Sequence, residues 1–155
     1  MKVAVACDHA GFPLKQTVMD VVSKAGHEII DLGTDSTASV DYPDFAEKAG
    51  RAIQRKEADR AIVMCGSGVG AAVAANKMAG IRAGLCHDTY SAHQCVEHDD
   101  VNLLALGGRI IGPDLAVEIV CAFLAAKFSG EERHVRRVNK IMAIERSEAS
   151  RKQGA

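Results

Sequence analysis

The chain has 155 residues, enough for one compact domain around a single buried core. Apolar residues make up 48% and charged residues 25%, a soluble globular balance that excludes a disordered or fibrous chain. A net charge of -1, no Trp and only 4% aromatics leave no global attraction for nucleic acid or a membrane surface.

Short apolar runs alternate with longer helical patterns. Val3 to Cys7 reads as a strand covered on both faces, and Asp8 cuts that run too short for a signal-peptide core. Pro13 suits a first helical turn and Gly26 the end of that helix. His27 to Leu32 reads as the second strand, followed by a polar loop to Asp41. Asp41 with Tyr42-Pro43 makes a turn into a helix that runs to Glu57. The third strand is Ala61 to Cys65 and the fourth is Ile81 to Cys86. Between them a small-residue helix spans Gly68 to Met78 and stops at Gly80. Asp88 suits the N-cap of a helix through Glu97, and Asn102 to Leu106 is the fifth strand. Pro113 opens a long apolar helix to Phe128, and a charged helix follows from Arg133 to Ser147.

Five strands alternating with helices imply an α/β single-domain, three-layer sandwich. Its core is an open five-stranded parallel sheet with right-handed crossovers, Rossmann/flavodoxin-like, plus a C-terminal helix. The domain is expected to span 1–150, with 151–155 as a disordered tail. No stretch approaches membrane-spanning length. The cysteines (Cys7, Cys65, Cys86, Cys95 and Cys121) are odd in number and include no C-x-x-C pair. That argues against a disulfide framework or a cysteine zinc site and for a reducing, cytoplasmic setting.

Ligands of open parallel sheets sit beyond the carboxyl ends of the strands. Strand one ends in Cys7-Asp8-His9, strand three in Cys65-Gly66-Ser67-Gly68-Val69-Gly70, and strand five in Gly107-Gly108-Arg109. The glycine-rich turn lets backbone N–H groups approach a ligand oxygen, with a helix aiming its positive end there, which outlines an anion or oxyanion cradle. Cys65 at its lip is placed to act as nucleophile or base.

Plainer readings stand beside these. Position alone leaves Cys65 equally a packed strand residue. The glycine turn also imitates part of a dinucleotide fingerprint, with Ala71 as its last small residue and Asp88 downstream, but it follows the third strand rather than the first. Asp8 and His9 could serve only to cap the neighbouring helix. His98, beside Asp99 and Asp100, could do no more than complement a helix dipole. Arg133, His134, Arg136 and Arg137 form a solvated face or a phosphate clamp. His27, His87 and His93 read as surface or packing residues.

Taken in order, Cys7-Asp8-His9-Ala10-Gly11 with Lys15, Asp41-Tyr42-Pro43 and Cys65-Gly66-Ser67-Gly68-Val69-Gly70 resemble the B-type ribose-5-phosphate isomerases. Ala74-Ala75-Asn76-Lys77, Gly80-Ile81-Arg82-Ala83, Tyr90-Ser91-Ala92 and Arg133-His134 with Arg137-Val138 agree, so the resemblance covers Lys2 to Glu148. The wider family includes allose-6-phosphate isomerases and galactose-6-phosphate isomerase subunits. The resemblance implies an intramolecular oxidoreductase of carbohydrate metabolism, in the pentose phosphate pathway. It would interconvert ribose 5-phosphate and ribulose 5-phosphate through an enediolate.

Under that resemblance Cys65 shuttles the proton, and the N–H groups of Gly66, Gly68, Val69 and Gly70 hold the oxyanion. Ser67 and His98 assist ring opening. Asp8, His9, Tyr42 and Asp99 meet the sugar, while Arg109, Arg133 and Arg137 clamp the phosphate. The last two cross a subunit boundary in the family, so a homodimer or dimer of dimers with the active site at its interface is implied. No metal or organic cofactor is required. Some relatives carry a glutamate base where this chain has Ala71, which points to the cysteine version. Ser67 stands where many members have Thr. Asp99 stands where many have Asn, exchanging a donor for an acceptor near the sugar. That exchange keeps other substrates open: allose 6-phosphate, galactose 6-phosphate or a tetrose phosphate. A non-catalytic nucleotide-binding module is the rival from another class.

Overall fold

β-Strands that are apolar on both sides need cover on both faces. The computed structural model describes residues 1–153. In it β1 (Lys2–Cys7), β2 (Glu28–Asp31), β3 (Arg60–Cys65), β4 (Ala83–Leu85) and β5 (Leu103–Gly107) form one parallel sheet in the order β2-β1-β3-β5-β4. Helices α1 (Phe12–Lys24), α4 (Thr89–Asp99) and α5 (Pro113–Ala125) cover one face, and α2 (Tyr42–Gln54) and α3 (Val69–Ala75) the other. The C-terminal α6 (Glu132–Gln153) lies against α4. This is the expected three-layer α/β sandwich.

Alternate strand residues supply two cores. Val5, Met64 and Leu106 pack with Ile119 and Phe123 on one side, while Ala4, Val63 and Ala105 meet Ala46, Ala49 and Ala71 on the other. The second core is built largely of alanines, so α2 and α3 approach the sheet closely. The last two strand positions are exchanged relative to the flavodoxin-like order. β5 is wholly buried and fits a place between two neighbours, whereas the three-residue, partly exposed β4 suits an edge.

Several element ends differ from the sequence reading, most of them for a tertiary reason. α3 stops at Ala75 rather than Met78, because the side chain of Asn76 turns to pair with the backbone of Ala83 in both directions. β4 begins at Ala83 rather than Ile81, because the N–H of Arg82 donates to the Asn102 side chain instead of to a strand. α5 ends at Ala125, short of Phe128, where Arg60 takes the carbonyls of Phe123 and Ala126. α6 continues past Ser147 to Gln153, so residues 151–153 of the expected tail are helical, with Arg151 paired to Glu148 one turn back. Residues 154–155 of that tail lie outside the described residues.

Candidate active site

Parallel pairing sets all the strand carboxyl ends along one edge. β1 and β3 are neighbours, but the chain leaves β1 for β2 on one side and β3 for β4 on the other, so a crevice opens between their ends. A cavity of about 360 Å³ lies there. The expected Asp8, Tyr42, Cys65, Gly66, Ser67, Gly70 and Arg109 all line it, joined by Ile110.

Cys65 ends β3 with its thiol buried at the cavity wall. The N–H of Gly68 donates to Sγ at 3.2 Å, a bond that closes the turn over the sulfur. That turn requires glycine at 68: φ is +78°, and an added methyl would lie 2.8 Å from the backbone of Leu106. Because α3 has only seven residues, the charge-stabilising power here rests on individual N–H groups more than on a long helix dipole. The N–H of Val69 donates to Ser67 Oγ at 3.3 Å, while Gly68 serves the sulfur rather than the cavity lining. Cys7, the other cysteine at a strand's carboxyl end, is fully buried. Burial pushes its thiol up to about 11, so it stays protonated and inert.

Asp8 does both things the sequence allowed. Its Oδ1 accepts from the N–H groups of Ala10 and Gly11, each at 2.9 Å, capping the entry to α1, and the residue also lines the cavity. Oδ2 takes no protein hydrogen bond among the described residues. His9 pairs through Nδ1 with the N–H of Val40 at 3.2 Å, which pins the loop before α2 rather than placing the ring in the cavity lining. Lys15 anchors the start of that loop, with Nζ 2.8 Å from Asp31 and 3.1 Å from the Thr34 carbonyl. At the loop's end Tyr42 packs against Gly70, where a methyl would come within 2.7 Å of its ring. Arg109 lies along Gly66 and has no carboxylate partner among the described residues.

The remaining expected residues form a second group away from this cavity. His98 and Asp99 close α4, and the His98 ring stacks on His134 with centroids 4.1 Å apart. Gln94 Nε2 donates to His98 Nδ1 at 2.9 Å. The buried His134 holds Ser129 Oγ at 2.6 Å through Nδ1, and its Nε2 has no partner among the described residues. Burial first, then the neighbouring His98 and Arg133 charges, hold the His134 imidazole below its ordinary value. Arg133 is exposed and paired with Glu131 at 2.8 Å, and Arg137 is exposed nearby. Within one chain, then, the cysteine cavity and the histidine–arginine cluster are separate.

Sequence reasoning passed over two residues. His87 accepts the N–H of Gly107 at 3.0 Å through Nε2, steadying the turn that presents Arg109, and a packing role was all its position suggested. Ile110 lines the cavity, and its place next to Arg109 was the available signal.

A family model described as Ribose/Galactose Isomerase matches residues 3–141. The Escherichia coli protein named ribose-5-phosphate isomerase B is 46% identical over 144 residues, covering 93% of this chain and 96% of that protein. A Pectobacterium atrosepticum protein named D-erythrulose-4-phosphate isomerase is 40% identical over 131 residues, covering 84% and 86%. The solved structure of Clostridium thermocellum ribose-5-phosphate isomerase B superposes with a TM-score of 0.92 at 48% identity, covering 95% of this chain and 99% of that one.

Proposed function

The chain belongs to the ribose/galactose isomerase family, and on that premise we propose that it interconverts ribose 5-phosphate and ribulose 5-phosphate, with Cys65 moving the proton. The observation that carries this is the Cys65 thiol, hydrogen-bonded to the Gly68 N–H at 3.2 Å inside a cavity that Arg109 also lines. As thiolate, Cys65 takes the C2 proton of the open-chain aldose. The electron pair moves toward the C1 carbonyl and gives an enediolate, and return of the proton to C1 with transfer of the O2 hydroxyl proton to O1 yields the ketose. The N–H groups of Gly66 and Gly70, the glycines of the turn that line the cavity, stabilise the charge that develops on oxygen, the larger effect in such chemistry. Asp8 and Tyr42 bind sugar hydroxyls, His9 holds the Val40 loop beside them, and Arg109 holds phosphate.

Ser67 and His98 open the furanose ring, and Asp99, Arg133 and Arg137 complete the sugar and phosphate contacts. His98, Asp99, Arg133 and Arg137 lie outside the lining of the Cys65 cavity within one chain, which supports a homodimer in which a second copy brings its histidine–arginine cluster to this cavity. The exposed Ile110 in the cavity lining, and the exposed Val69, Leu85 and Tyr90 elsewhere on the surface, suit such an interface. Free cysteines throughout suit a reducing cytoplasm. Asp99, together with the tetrose-phosphate relative, favours one second reading: the same chemistry on another aldose phosphate. Turnover of ribose 5-phosphate beside D-erythrulose 4-phosphate and allose 6-phosphate decides between them. Fast ribose 5-phosphate turnover supports the first reading, fast turnover of another sugar the second, and no turnover of any contradicts both.

A further inference from the structure

His98 and Asp99 are the last residues of α4, and the next residue, Asp100, has φ 51, left-handed for a residue that carries a side chain. Aspartate enters this region more readily than most residues, at a cost that a partner can offset. Here Arg82 is that partner. Its Nε donates to the Asp100 carbonyl at 2.7 Å and its Nη2 to Asp100 Oδ2 at 2.6 Å, so one planar fork grips the carbonyl and the carboxylate of the same residue. The third arm, Nη1, reaches Met142 Sδ of α6 at 3.7 Å.

The base of the clamp is fixed as well. The Arg82 N–H donates to Asn102 Oδ1 at 2.9 Å, and Asn102 Nδ2 donates to the Gly80 carbonyl at 2.9 Å. The Gly80 N–H donates to Glu145 Oε1 of α6 at 2.8 Å. The loop before β4 therefore ties the end of α4 to the middle of α6. The start of α6 carries Arg133 and Arg137 and lays His134 against His98.

We infer that Arg82 is the positioning residue of this half of the site: by clamping the left-handed Asp100 cap against α6 it sets where His98 and Asp99 meet the sugar. The inference rests on the reading of His98 as the ring-opening group. Arg82 touches no substrate in this account and acts only through Asp100 and α6. A clamp that served stability alone would reduce proton exchange and net isomerisation together. A positioning clamp spares exchange at C1 of ribulose 5-phosphate, which arrives open because its C5 oxygen is phosphorylated, and slows net conversion, because ribose 5-phosphate passes through the furanose step.

The test measures net isomerisation (kcat/KM) and solvent deuterium exchange at C1 of ribulose 5-phosphate, with thermal unfolding, for Arg82→Met, Arg82→Lys, Asp100→Gly, the Arg82→Met/Asp100→Gly pair and His98→Asn. Arg82→Met is expected to lose about tenfold to hundredfold in net isomerisation and only about threefold in ketose exchange, the range that a small misplacement of a reacting group produces. Asp100→Gly should stay within about threefold of the parent, because glycine takes the left-handed cap unaided. Added to Arg82→Met, it should restore most of the lost aldose turnover. Equal losses in isomerisation and exchange, or a double variant as poor as Arg82→Met, would overturn the inference. If Arg82→Met does not fold, Arg82→Lys serves in its place. It keeps the charge but cannot bridge both oxygens, so it must show the same split on a smaller scale, and equal losses there refute the clamp. His98→Asn separates this inference from its premise. Without a split in His98→Asn, the ring-opening reading fails and the role of Arg82 with it. A split in His98→Asn that is absent from the Arg82 variants sinks the Arg82 inference alone.

Discussion

Gly70→Ala sets stability and activity against each other at a single methyl group. The methyl would lie 2.7 Å from Cε2 and Cζ of Tyr42 and 3.1 Å from its Oη, about 0.7 Å inside ordinary contact. Gly70 is the second residue of α3 and has ordinary helical geometry, so alanine gains about 1 kcal/mol of helix propensity there. Overpacking a rigid core costs about 1–3 kcal/mol, but Tyr42 is 41% exposed and can swing toward solvent, which keeps the cost near the low end. The two effects nearly cancel, and Tm should move by no more than about 4 °C. Activity should not be spared, because the displaced ring lines the cavity with Cys65; a loss of about tenfold or more in kcat/KM is expected. Steady-state kinetics with a parallel thermal melt reads both quantities. Unchanged turnover, or a fall in Tm of about 10 °C, would refute the reasoning that places Tyr42 over Gly70 as part of the site.

Two predictions concern parts of the fold remote from Cys65. Arg60→Met strips the α5 C-terminus of two charged donors, at 2.6 and 2.8 Å, and should cost about 2–3 kcal/mol in urea unfolding with kcat unchanged; full stability would mean that water caps those carbonyls as well. Folded His134 binds a proton less readily than it does in the unfolded chain, so its stability contribution is complete above about pH 6.5 and falls as pH drops through that unfolded value toward the folded one. His134→Phe keeps a ring against His98 and removes this acid-side loss. Melting curves from neutral to acid pH should therefore slope less in the variant, and equal slopes would contradict the burial argument.

Where one residue's local chemistry decides an outcome, the sequence was sufficient. Asp88 caps α4 by accepting the Ser91 N–H at 2.7 Å, Pro13 opens α1, and Gly26 follows that helix with φ 78. The carboxyl-end rule located Asp8, Cys65 and Arg109 because parallel strands share a direction. Ends set from a distance were not legible: Arg60 stops α5 from another element, and Asn102 takes the N–H that would have extended β4. The order of β4 and β5 follows from relative burial, which periodicity does not reveal for a short apolar run. Likewise nothing local showed that His134 would be buried on His98, or that Arg82 would grip Asp100.

Proton transfer by Cys65 is most directly tested by running Cys65→Ala beside the parent in deuterated water and following deuterium at C1 and C2 of the sugar phosphate. The account predicts that exchange falls by at least about a hundredfold in the variant, while phosphate binding measured by calorimetry stays within about threefold. Near-normal exchange from Cys65→Ala would contradict it and move the search for the base to another residue lining the cavity.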